Sequence, residues 1–321
     1  MTRKLFAAAL AGFLFSGVTM ASAFPDRPVR IVVPFAAGGV TDLAARMVGQ
    51  QLSAKWGQPV VIENRPGAGG LIGVEAVIKS PPDGYTILMG TNGEFVIHQA
   101  ASQRPRFSMT DVIPITMVTV TSYAIAANDN SGVGTLQGLV QQAKAKPGTL
   151  SYSSAGLGST MHMATEQFAA AAGIKLLHVP YRGGAPAATA VTSGEVSIGF
   201  TPLSSLGPVK DSGRAKLLAV TSKKRLAMLP DVPTVEETGV LKGFEAAVWT
   251  GLFAPKGTPD AIVSKIRTDA LEALKDKGLV EKLTAAGAEP TAIAGEELAA
   301  LIKKETDELS KVAKAANITL E

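Results

Sequence analysis

Side chains able to do covalent or acid-base chemistry are sparse in this chain. It has no cysteine and only three histidines, His98, His162 and His178, and no spacing among them forms a metal site or a nucleophile-base pair. The serines of Ser153-Ser-Ala-Gly-Leu-Gly-Ser159 do not fall in a Gly-x-Ser-x-Gly elbow, which disfavours Ser154 or Ser159 as a nucleophile. What recurs instead is a β-like apolar run that enters glycines and then a helix: Arg30 to Gly39, Leu150 to Ser159 and Leu177 to Gly184. Such a turn cradles an anion. The first helical N–H groups have no partner in their own helix, the macrodipole adds about half a positive charge there, and glycine lets a ligand oxygen approach the backbone. The expected chemistry is capture of a small anion without turnover, and no cofactor is called for.

Each turn contributes differently. In Pro34-Phe-Ala-Ala-Gly-Gly39, followed by Thr41-Asp42, the N–H groups from Ala37 to Thr41 are offered to a carboxylate, and Asp42 caps the helix so that its charge is used locally. The turn from Ser154 through Ala155, Gly156 and Gly158 to Ser159 and Thr160 adds hydroxyls to backbone donors, a neutral set that binds an oxyanion without trapping it. His162 either touches the ligand or packs between Met161 and Met163. Tyr181, ahead of Gly183, brings a phenol to the cleft, whereas Arg182 reads as solvated. Thr91-Asn92-Gly93 and Thr201-Pro202 follow apolar strands and so fall at the C-terminal strand ends where open α/β sheets bind ligands. Glu94 facing a ligand would ask for a cationic or protonatable group; facing solvent, as loop glutamates do, it would say nothing. Asn64-Arg-Pro-Gly-Ala-Gly-Gly70 falls short of a dinucleotide fingerprint because Ile72 stands where a glycine is needed and Pro66 intrudes, so it reads as a structural turn.

The elements that must hold these turns alternate. Val29 to Val33, Val60 to Glu63 and Thr86 to Met89 read as strands between helices at Leu43 to Leu52 and Leu71 to Lys79, a βαβ rhythm. Leu43, Ala44, Met47, Val48 and Leu52 form the buried stripe of the first helix. Two long β-like runs, Ile115 to Ala127 and Ala246 to Ala254, suggest two hinge crossings. Between them lies a second alternating set that includes helices from Thr135, at Thr160 to Ala172 and at Pro186. Three helices follow the second crossing and return the chain to its first domain. The fold class expected is α/β, each domain a mixed, mostly parallel sheet flanked by helices. Residues 24–122 and 247–321 make domain 1 and residues 123–246 make domain 2.

Arg3 and Lys4 precede an apolar run, and Ala21-Ser22-Ala23 supplies a small-residue cleavage site, so residues 1–23 read as a secretory signal peptide. The 298 residues that remain carry 29 basic against 27 acidic side chains, a formal +2. With aromatics at 5% and the basic residues scattered, Lys223-Lys224-Arg225 and Lys303-Lys304 read as solvated faces, and no nucleic-acid partner is expected. The expected product is a periplasmic monomer of two domains.

Six ordered motifs carry a resemblance that covers essentially the whole mature chain. They are Phe24 to Gly39 with Thr41-Asp42 and Arg46, Val61 to Gly70, Pro82-Asp-Gly-Tyr-Thr86, Ser154 to Ser159 with His162, Val179-Pro-Tyr-Arg-Gly-Gly-Ala-Pro186, and Gly251 to Pro259. Together they resemble the Bug-type solute-binding receptors of tripartite tricarboxylate transporters. The resemblance implies a two-domain Venus-flytrap fold, no enzymatic activity, a small organic carboxylate ligand and the membrane subunits of a tripartite transporter as partners. It also implies that the carboxylate lies between Phe35, Ala36, Ala37, Gly38, Gly39 and Thr41 on one side and Ser154 to Thr160 on the other, with Thr91, Asn92, Tyr181 and Thr201 completing the pocket. The chain departs from the family pattern between Thr91 and Gln99, where it carries Glu94, His98 and Gln99. Two other classes stay open on the residues alone: a receptor feeding a sensor kinase, and a periplasmic hydrolase.

Overall fold

The structure, a computed structural model, describes residues 24–320; the signal segment read at residues 1–23 lies outside the described residues. The chain begins with β1 (Val29–Val33), α1 (Val40–Trp56), β2 (Val60–Asn64), α2 (Leu71–Ile78) and β3 (Thr86–Thr91). A π-helical turn, Gly93–Ile97, then runs into α3 (His98–Ala101). Next come β4 (Val112–Asn128), α4 (Leu136–Ala145), β5 (Ser151–Ser154), α5 (Thr160–Ala172), β6 (Leu177–Pro180), α6 (Gly184–Ser193), β7 (Ile198–Pro202), α7 (Gly207–Asp211) and β8 (Ala215–Val220). The chain closes with β9 (Ala247–Pro255), α8 (Asp260–Ala273), α9 (Lys277–Ala285), β10 (Glu289–Pro290) and α10 (Gly295–Ala315).

The strands line up as β2-β1-β3-β9-β4-β7-β5-β6, with β8 and β10 also pairing to β4. β1 runs parallel to β2 and β3, and β5 runs parallel to β6 and β7, while β9 and β4 enter antiparallel. β4 changes partners midway. Its residues 112–122 pair with β9, and from Tyr123 to Asn128 it pairs with β7 and β8. The sheet therefore divides into two lobes joined by β4 and β9, the two long extended runs of the sequence.

Local chemistry explains the elements that frame the site. In α1 the core face is Ala44, Ala45, Val48 and Leu52, all fully buried, whereas Leu43 and Met47 are only half-buried. The stripe is turned toward smaller residues because α1 lies close on β2: a Cβ at Gly49 would stand 3.1 Å from Ile62 Cδ1. In the second lobe Tyr152, Phe168 and Phe200 share one core. Helix α10 returns to the first lobe, where Leu298 and Ile302 pack with Trp249 and Phe253. The stretch after β3 is helical rather than a loop, which buries Glu94, Phe95, Val96 and Ile97; four apolar or neutralised side chains in succession need a core on all sides, not a solvated turn.

Candidate functional site

The C-terminal ends of β1, β3, β5 and β7 face one another across a cavity of about 700 Å³. The first lobe lines it with Phe35 and Gly39 from the β1–α1 turn, Val40 and Thr41 at the start of α1, Ala68 and Gly69 before α2, Thr91 at the end of β3 and Gly93 just after it. The second lobe supplies Ala155, Leu157, Gly158, Ser159 and Thr160 before and at the start of α5, with Gly184 at the start of α6 and Pro202 at the end of β7. Thr121 and Val248 from the two connecting strands lie between. The lobes are closely apposed: a Cβ at Gly93 would lie 3.7 Å from Thr160 Cγ2, and one at Gly158 would lie 2.4 Å from Leu320 Cδ2.

Gly39, the N-cap of α1, has extended backbone and no side-chain cap, so the first amides of the helix, at Val40 and Thr41 in the cavity wall, have no intrahelical partner. Asp42 does not cap this end. From the third helical position its Oδ2 accepts the Gly38 N–H at 2.9 Å and Arg46 Nε at 2.9 Å, and its Oδ1 accepts Asn64 Nδ2 at 2.9 Å. Burial would raise the Asp42 pKa, but the hydrogen bonds from Arg46, Gly38 and Asn64 outweigh it and hold the carboxyl below its usual range. The charge is used structurally, as the sequence suggested, yet it consumes the Gly38 amide that had been expected to face a ligand. Ala36, Ala37 and Gly38 are exposed beside the cavity rather than in its wall.

The second turn is similarly self-satisfied. Gly156 N–H donates to Ser154 Oγ at 3.1 Å, Gly158 N–H to His162 Nδ1 at 3.0 Å, and Ser159 N–H to Gly156 O at 3.1 Å. Ser159 Oγ caps α5 by accepting the His162 amide at 3.2 Å. What α5 leaves without an intrahelical partner is therefore the amides of its first two residues, Thr160 and Met161, and these residues line the cavity with Ser159.

Several residues expected at the ligand lie behind the wall. Ser154 is fully buried and stands 2.6 Å from His178 Nε2, a serine-histidine pair that no sequence spacing announced. Its oxygen is also shared with Gly156 N–H and carbonyl, and no substrate can reach it. His162 stacks on His178 with ring centroids 3.9 Å apart; burial, then the neighbouring His178, pushes its pKa down to about 4, so it packs as a neutral ring. Tyr181 packs against the second lobe's cores, and Gly183 forms the N-cap of α6 behind Gly184. Thr201 is buried within β7. Asn92 ties Nδ2 to Ala247 O at 2.8 Å and lines a different cavity, between the connecting strands and α10. Glu94 faces neither ligand nor solvent: it is fully buried, and its Oε2 accepts from Thr91.

Cavity residues missed from sequence include Ala68, Gly69, His98, Arg106, Thr121 and Leu320. The glycine run at residues 67–70 was the available signal for the first two; Leu320 had none, since only the docking of the last strand-like bridge, Ser102 to Leu320, brings it there. Among the described residues no group of histidine, aspartate or glutamate side chains forms a metal cluster, and no helix is long and apolar enough to cross a membrane.

Residues 44–318 match the family described as tripartite tricarboxylate transporter family receptor. A UPF0065 protein from the tcbD-tcbE intergenic region of Pseudomonas sp. strain P51 is 38% identical over 290 residues, 90% of this chain and 86% of its own length. Among solved structures, R. palustris Rpa4515 with adipate superposes with a TM-score of 0.81 at 34% identity, covering 92% of this chain and 99% of that one. MatC (Rpa3494) from Rhodopseudomonas palustris with bound malate gives a TM-score of 0.77 at 30% identity, covering 90% and 99%.

Proposed function

This chain belongs to the tripartite tricarboxylate transporter receptor family, and from that premise we propose that it captures a small carboxylate in the cleft between its lobes and delivers it to the membrane subunits of a tripartite transporter. Receptors of this kind bind solutes and are not enzymes, and solved relatives hold adipate or malate. The proposed place of action is the periplasm, reached through the signal segment at residues 1–23, and the proposed domains are 24–122 with 247–321 and 123–246.

The observation that carries the reading is that the N-termini of α1 and α5, one from each lobe, open on the same cavity. Each terminus favours a nearby anion by about 0.3–1 kcal/mol, and each charge-assisted hydrogen bond from an amide adds about 1.5–3 kcal/mol. A carboxylate held by Val40 and Thr41 on one side and by Ser159 and Thr160 on the other makes its full set of bonds only when the lobes are together. It therefore stabilises the closed form by its differential contacts alone, and that form is the one presented to the membrane partner. Titration calorimetry of the purified protein against a panel of small carboxylates tests this. Binding of at least one organic acid at micromolar concentration, competed by no neutral analogue, is expected; silence across the whole panel would remove the proposal.

A further inference from the structure

The buried acids Asp42 and Asp269 are paired, the first to Arg46 and the second to Lys55 and Lys265. Glu94, fully buried, has no such partner among the described residues. Its Oε2 accepts the Thr91 N–H at 2.9 Å and the Thr91 hydroxyl at 2.7 Å. Its Oε1 has no hydrogen-bond partner among the described residues and lies beneath Gly70, where a Cβ would come within 2.1 Å of it. Gly70 sits at φ +99, so the roof over this carboxyl is backbone that only glycine supplies at this height.

The polarity of Thr91 follows from counting lone pairs. Its Oγ1 accepts the Gly93 N–H at 3.0 Å and donates its single proton to Glu94. Because Oε2 already receives two donors, a proton added to the carboxyl goes to Oε1, and the Thr91 hydroxyl keeps pointing at Oε2 in both protonation states. The one capacity left to the Thr91 side chain is a second acceptor lone pair. Thr91 lines the cleft, and Gly93 beside it approaches Thr160 at the start of α5. Among the described residues the one acidic or basic side chain besides His98 in the cavity wall is Arg106, whose guanidinium is held 2.5 Å from Glu75. His98, also in the wall, has its pKa lowered by burial and then by the Arg106 charge, and its Nε2 accepts the Arg106 amide at 3.3 Å.

We infer that Glu94, acting through Thr91, makes the first-lobe floor of the cleft a hydrogen-bond acceptor, selecting carboxylates whose second polar group is a donor, an amide, hydroxyl or ammonium, over those with a second carboxylate. The inference rests on the carboxylate reading above and specifies the other end of the ligand. A second carboxylate would bring acceptor lone pairs against the acceptor of Thr91, with no unpaired cation in the cavity wall among the described residues to compensate. Glu94 is thus a positioning residue: it touches no ligand but decides which way a ligand-facing hydroxyl points.

The test is calorimetric titration of the full chain with matched series of three to six carbons, each comprising the α,ω-dicarboxylate, its monoamide and the ω-hydroxy acid. At the best-fitting length the monoamide or hydroxy acid binds at least tenfold more tightly than the dicarboxylate. Glu94→Met frees the Thr91 hydroxyl to donate and shifts that ratio at least tenfold toward the dicarboxylate. Glu94→Gln, whose carbonyl accepts the same two bonds, keeps the original order. A merely structural role for Glu94 would weaken all ligands together and leave the ratio alone, which would overturn the inference, as would a native preference for dicarboxylates. Should Glu94→Met fail to fold by circular dichroism, Thr91→Val removes the acceptor with Glu94 in place and levels the ratio; an unchanged ratio there is equally fatal. If the series binds in another order, only this inference fails, whereas if none of it binds, the carboxylate reading fails with it.

Discussion

Replacing Glu94 by glutamine changes how stability depends on pH, and the sign follows from where the carboxyl sits. Burial pushes its pKa from 4.5 up to about 7, and the hydrogen bonds from Thr91 oppose this without cancelling it. In the unfolded chain the same group titrates near 4.5. Between those two values the folded protein holds a proton that the unfolded chain has lost, so stability falls as pH rises through the window and levels off above it. The step from 4.5 to about 7 corresponds to roughly 3 kcal/mol, most of it developed between pH 5 and pH 8. The histidines act in the opposite sense. Burial holds His162 at about 4 against 6.5 when free, and lowers His98 and His178 too, so their contribution grows as pH rises toward 6.5. Comparison with Glu94→Gln cancels the histidines and isolates the carboxyl. Urea denaturation at pH 5, 6.5 and 8 reads the difference: the native protein loses about 2–3 kcal/mol more than the variant across that range. Parallel curves would refute the argument that burial governs Glu94. A native protein that gains on the variant at high pH would require a cation beside the carboxyl.

Three further outcomes follow from the geometry. Gly158→Ala places a methyl where φ is +71 and Leu320 Cδ2 is 2.4 Å away; about 1–2 kcal/mol of left-handed strain is expected in thermal unfolding, with a larger loss in ligand affinity because the lobes can no longer meet there. Asp42→Ala strips the acceptor from Gly38, Arg46 and Asn64 and costs about 1–3 kcal/mol, seen in denaturant titration at neutral pH. Since the Asp42 pKa is lowered in the fold, that difference is present above 3.8 and shrinks as pH falls through the lower folded value. The chain has two tryptophans: Trp249 sits beside Val248 of the cleft and donates to Glu305 at 2.9 Å, while Trp56 donates to Asp269 at 2.6 Å on the far side of the first lobe. A ligand-induced change in fluorescence is therefore lost in Trp249→Phe and kept in Trp56→Phe; the reverse pattern would place the moving parts elsewhere.

Much of the architecture was legible because it is written in short-range rules. A strand that ends in glycines and restarts as a helix needs only a few neighbouring residues to declare itself, and α5 was read from Thr160 to Ala172, as found. The alternation of apolar runs marked β1, β2 and β3, and the two long runs marked β4 and β9. The helical stretch after β3 escaped because Gly93 and the polar Thr91-Asn92-Gly93-Glu94 look like a turn, and only the surrounding core of Phe107, Phe253 and α10 makes Phe95 to Ile97 helical and buried.

Residue order alone determined that glycine-rich turns lead strands into helix starts and that β and α segments alternate. Which backbone donors of those turns are free was decided in three dimensions. Asp42 takes Gly38, His162 takes Gly158 and Ser154 takes Gly156. Glu94 became a buried partner of Thr91 because the first lobe closes over it, and Leu320, 162 positions further along the chain, reached Gly158 only because α10 carries the chain back. A spacing rule sees neighbours a few residues apart; a cleft is built from strand ends brought together by a sheet, and the hydrogen-bonding capacity left in it is what remains after tertiary contacts have claimed their share.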